Sequence, residues 1–147
     1  MITESLIALW AEGRTRFTKL LAVVQEADLH KKHGGSPNSA GYLIRHIAEV
    51  ELLFAKNVFK NPEVRVTART LIAQKDTGEW TNLAELKEIA VYAAEMLERA
   101  ILAQENWDEL IETKEFGIKS KAESLGRIVT HTAYHAGQLA LVLKYGK

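Results

Sequence analysis

The chain is predicted to be all-α: one four-helix bundle spanning residues 1–147, with a long connection between its second and third helices. Two observations predict it. Four segments of about 20 residues each carry an apolar residue every three to four positions, which places those residues on one stripe of a helix. Nothing between them alternates over enough length to build a sheet, so the stripes must cover one another.

The first helix starts at Thr3 as N-cap and carries Leu6, Trp10, Phe17, Leu20, Leu21 and Val24 to about Ala27. The loop DLHKKHGGSPNS ends it. The second opens after Pro37, capped by Asn38 or Ser39, and runs along Leu43, Ile44, Ile47, Val50, Leu53 and Phe54 until Asn61-Pro62 stops it. From Glu63 to Trp80 the pattern is poor and predicts a crossing connection with a short helical turn around Val66 to Gln74. The third helix is capped by Thr81 and follows Leu83, Leu86, Ile89, Ala90, Ala93, Leu97 and Ile101 to Gln104. Lys114 to Lys119 is compatible with one short extended piece. The fourth helix begins at Ser120, with Glu123 in capping-box spacing, and finishes at Gly146.

Composition narrows the function classes. Lys plus Arg equals Asp plus Glu at 19 each, so no net field draws the chain to a nucleic-acid backbone or an acidic membrane surface. No cysteine is present, which removes disulfides, thiolate metal sites and a cysteine nucleophile, and fits a reducing compartment. With no apolar run of spanning length, a cytoplasmic protein is expected.

The chemistry concentrates in HTAYHAGQ. His131 and His135, four apart on a helix, stack one turn above the other, and Gln138 shares their face with Ile128 and Val142. Imidazoles turned toward a core need partners for their ring nitrogens. A divalent transition metal is an economical partner, and His46, on the stripe of Leu43, Val50 and Leu53, supplies a third nitrogen. Spacing alone leaves open the alternative that these are hydrogen-bonded core histidines. His30 and His33, in the glycine-rich loop HKKHGG, read as solvated. Gln138 is placed to hold a ligand ring or a metal-bound water, or to serve as a packing amide. Glu49, three residues beyond His46, would accept a ring N–H, act as a base, or be solvated. Arg127, beside the pair with Tyr134, would meet an anionic group or form a surface pair. Tyr42, Trp10 and Trp107 line a pocket or belong to the core.

Competing motifs are missing. No Glu-x-x-His occurs, against a ferritin-like di-iron site; Thr132 stands where a zincin needs glutamate; G-x-S-x-G and P-loop patterns are absent.

In GYLIRHIAEVE and RIVTHTAYHAGQLALVLKYG, above all H-x-x-x-H-x-G-Q-L, the chain resembles the DinB-like (DinB/YfiT) superfamily of metal-binding four-helix bundles. The resemblance covers nearly the whole chain, including the long second connection and EFGIKSKAES before the last helix. It implies a divalent metal (Zn, Ni or Fe) held by His46, His131 and His135. It also implies a small-molecule substrate, with either transfer of a low-molecular-weight thiol to an electrophile or hydrolysis by metal-bound water. A non-catalytic, stress-associated bundle that binds metal or ligand is the alternative. Many relatives carry a basic residue after the second motif histidine, where Ala136 stands here. A homodimer is expected from the resemblance and from apolar surface on the third helix at Val91, Tyr92 and Leu97.

Overall fold

A computed structural model describes residues 2–147. The described residues are mainly helical: α1 (Ile2–Val23), α2 (Ala40–Leu53), α3 (Arg69–Ala73), α4 (Leu83–Leu102) and α5 (Lys121–Tyr145), with a hairpin of β1 (Leu110–Thr113) and β2 (Gly117–Ser120). The four long helices close a ring in which α1 packs on α5, α5 on α2, α2 on α4 and α4 on α1. Inside it, Phe17, Ile44, Ile47, Leu97, Ile128 and Leu139 are fully buried. The stripes read from periodicity are therefore the faces that meet.

Helix ends follow local chemistry, with three shifts from expectation. Ser39 and Ser120 cap as predicted, their hydroxyls accepting from Tyr42 N (3.2 Å) and Glu123 N (3.0 Å). Thr3 does not cap. It lies inside α1, and its hydroxyl accepts from Trp107 Nε1 at 2.8 Å, pinning the segment after α4 to the first helix. At α4 the cap is Asn82 rather than Thr81, with its Oδ1 accepting from Glu85 N at 3.1 Å. α1 ends at Val23, short of Ala27, and a 3₁₀ turn at Glu26–Asp28 follows. α2 loosens into a π-helical turn over Phe54–Val58 before Asn61-Pro62.

The extended piece expected alone near Lys114 to Lys119 has a partner. Leu110 pairs with Ser120 and Thr113 with Gly117 across a three-residue turn, and Gly117 takes φ +74°. Each strand is only four residues with none of them buried, too short for a pattern to mark it in the sequence.

The connection between α2 and α4 is pressed onto α2. A Cβ at Gly41 would overlap the carbonyl oxygen of Trp80, and Asp76 accepts from Ser39 N at 2.8 Å. We expect Gly41→Ala to destabilise the fold by about 1–3 kcal/mol, because backbone must move to admit one methyl. Urea titration measures this, and an unchanged midpoint would show that the connection yields freely.

Apolar surplus on α4 is smaller than anticipated. Leu97 is fully buried and Tyr92 accepts from Arg65 N through its hydroxyl, leaving Val91 exposed. Two of the three residues offered for a homodimer surface are thus used inside the monomer. Among the described residues, no helix is long and apolar enough to cross a membrane.

Candidate metal centre

Two neighbouring helices bring the histidines together. His46 projects from α2 and His131 and His135 from α5, with ring centroids 5.1 Å (His46–His131), 4.8 Å (His46–His135) and 4.5 Å (His131–His135) apart. One nitrogen from each ring lies within 4.8 Å of the other two. Nitrogens held about 2.0–2.1 Å from a tetrahedral ion are about 3.3 Å apart, so a small inward rotation of the rings suffices to enclose a cation.

Electrostatics prepare the rings as ligands. Burial, then the neighbouring His135 ring, lowers the pKa of His46 to about 4, and burial with the other two rings lowers that of His131 to about 3. Burial also lowers His135. All three are neutral near pH 7, the form that carries a free lone pair.

Hydrogen bonds orient two of them. His135 Nδ1 lies 2.7 Å from Gln138 Oε1, so Gln138 does contact a candidate ligand ring. His46 Nδ1 lies 3.2 Å from the hydroxyl of Thr70, and its ring is stacked parallel to Tyr42. His131 Nδ1 is buried with no hydrogen-bond partner among the described residues. An ion bound at that nitrogen would remove the cost of leaving it unpaired. On donor chemistry and on this unpaired atom, the site fits a divalent transition cation.

Glu49 is neither solvated nor open to substrate. It is wholly buried, and its two oxygens accept from Thr70 N (2.9 Å), Thr70 Oγ1 (2.5 Å), Arg69 N (3.0 Å) and Arg45 Nε (2.5 Å). It reaches His46 only through the Thr70 hydroxyl. Thr70 has no signal in the sequence, since it lies in the unpatterned connection, 24 residues beyond His46.

A cavity of about 790 Å³ opens beside the rings, lined by His46 and His131 together with Val50, Phe54, Leu71 and Phe116. Tyr134 and Arg127 reach its edge. Arg127 forms no ion pair among the described residues; its guanidinium lies over the Phe116 ring, 4.7 Å from the centroid, at the cavity. Trp10 and Trp107 are buried in the core, whereas Tyr42 packs on His46. Ala136, which follows the second motif histidine, is buried against the cluster around Phe17. His30 is exposed, His33 lies tilted against Tyr145, and neither joins the group of three.

A family model described as the DinB superfamily matches residues 9–139. The chain belongs to the DinB superfamily. No curated protein and no solved structure matches it. The matched span contains all three histidines and Gln138. The DinB chain therefore combines three convergent neutral nitrogens with an adjoining cavity.

Proposed function

We propose that this DinB-superfamily four-helix bundle is a metal-dependent enzyme for a small molecule, with His46, His131 and His135 holding one divalent cation. The convergence of three half-buried, neutral imidazoles from two helices, with ligand nitrogens all within 4.8 Å of one another, carries the proposal. Three protein ligands leave a position open, as in catalytic rather than structural sites. Held by these residues, a divalent cation would supply Lewis acidity, chemistry that suits hydrolysis or transfer of a low-molecular-weight thiol to an electrophile. The protein's own part is to keep the rings neutral, hold His135 through Gln138, and present an adjoining cavity whose apolar side chains are joined by Lys60, Glu112, Glu115 and Arg127. Zinc, nickel and iron all suit three imidazoles.

The test is metal analysis of untagged protein purified without chelators, beside His131→Ala. Near one equivalent of metal in the first and a loss of tenfold or more in affinity in the second is expected, since an ion with two protein ligands is held far less tightly. Equal metal content in both would overturn the assignment.

A further inference from the structure

The Thr70 hydroxyl stands between a buried carboxylate and a candidate metal ligand, and its bonding leaves no freedom of direction. Both oxygens of Glu49 already receive backbone or guanidinium N–H groups. The single hydroxyl hydrogen of Thr70 therefore points to Glu49 Oε1, 2.5 Å away. What remains on Thr70 Oγ1 is a lone pair, and 3.2 Å from it lies His46 Nδ1. An oxygen that has spent its hydrogen can only accept, so Nδ1 must carry the ring proton.

We propose that Thr70 is a positioning residue: it fixes His46 as the Nδ1–H tautomer, presents Nε2 to the cation, and ties the connection between α2 and α4 to that ligand. The proposal deepens the metal-site assignment made above and depends on it for its consequence, though not for the tautomer itself. It also links two features that are separate in the sequence. Thr70 is followed by Leu71, which lines the cavity, so one anchor sets both the direction of a ligand and the position of a substrate wall. Glu49 holds that anchor rigidly, because it accepts from the backbone of Arg69 and Thr70 as well as from the hydroxyl. Carboxylate or carbonyl partners of ligating histidines commonly act this way, with losses of about 10–100-fold in metal affinity when they are removed.

Thr70→Val keeps the side-chain shape and both backbone bonds to Glu49 while deleting the hydroxyl; Thr70→Ser keeps the hydroxyl. Zinc affinity is read by competition with a chromophoric chelator, and the His46 tautomer by ring-nitrogen NMR on metal-free protein. We expect zinc binding about 10–100-fold weaker in the valine variant and within about threefold of the parent in the serine variant. The metal-free parent should show His46 protonated at Nδ1, and the valine variant should gain the Nε2–H form. A role in packing alone would leave the tautomer unmoved. An Nε2–H ring in the parent, or a valine variant with the parent's zinc affinity, would overturn the proposal. A parent that takes up no zinc defeats the metal-enzyme assignment, and the tautomer measurement still decides whether Thr70 orients the ring.

Discussion

Arg14→Ala is expected to cost about 3–5 kcal/mol of folding stability, a large share of the 5–15 kcal/mol typical of a domain. Arg14 sits in the core with Nε 2.9 Å from Glu51 Oε2 and Nη2 3.1 Å from Glu51 Oε1, and Nη2 also donates to Ala90 O at 2.9 Å. Glu51 has no exposed surface. Truncation leaves the Glu51 carboxylate buried without the guanidinium that pairs it. Burial already raises the Glu51 carboxyl above its ordinary pKa against the opposing pull of Arg14, and losing Arg14 raises it further. The variant's folded state then holds a proton that the unfolded chain releases. The sign follows: stability of the variant falls as pH rises through that raised pKa, so the deficit is larger near pH 8 than near pH 5. A companion Arg14→Met with Glu51→Leu should regain most of the loss, since neither charge is then stranded. Urea unfolding across that pH range measures both, and a deficit below about 1 kcal/mol for Arg14→Ala would mean that water reaches Glu51 after all.

Metal-free protein should lose stability on acidification through a window set by the histidines. In the unfolded chain each titrates near 6.5, whereas in the fold His46 is lowered to about 4, His131 to about 3, and His135 in the same direction. Between pH 6.5 and about 4 the unfolded state binds more protons than the folded one, so the slope of stability against pH is positive there. Above pH 6.5 all three rings are neutral in both states and contribute no slope. His46 alone accounts for about 3 kcal/mol over the window, and His131 and His135 add in the same direction. Chelator-treated protein unfolded in urea at about pH 7 and about pH 4.5 gives the comparison. His131→Asn, which removes one proton site and relieves its neighbours, should flatten the curve. Identical slopes in parent and variant would place the acid sensitivity elsewhere, in the carboxylates.

Much of the architecture is legible because it is local. Leu43, Ile47 and Val50 mark the buried face of α2, and Ile128, Leu139 and Val142 that of α5, through a period that any helix imposes. Ser39 and Ser120 announce their helices because a cap is a bond across three residues. The hairpin is not legible, since two four-residue strands with no buried residue are too short to carry a pattern. Nor is the Arg14–Glu51 pair: both residues look like ordinary charges on a helix surface until α1, α2 and α4 close around them.

From sequence alone came the kinds of residue and their spacing along each helix: a histidine pair one turn apart, a third histidine on another apolar stripe, and a glutamine one turn beyond. These are properties of a single helix. Only the tertiary structure decided that the three rings lie together, that Gln138 and Thr70 sit at two of their nitrogens, and that Glu49 is buried against Thr70 rather than exposed. The physical reason is range. Periodicity and capping are set within a few residues, whereas the direction of the His46 ring depends on a hydroxyl 24 residues away, carried by a connection that has no pattern of its own.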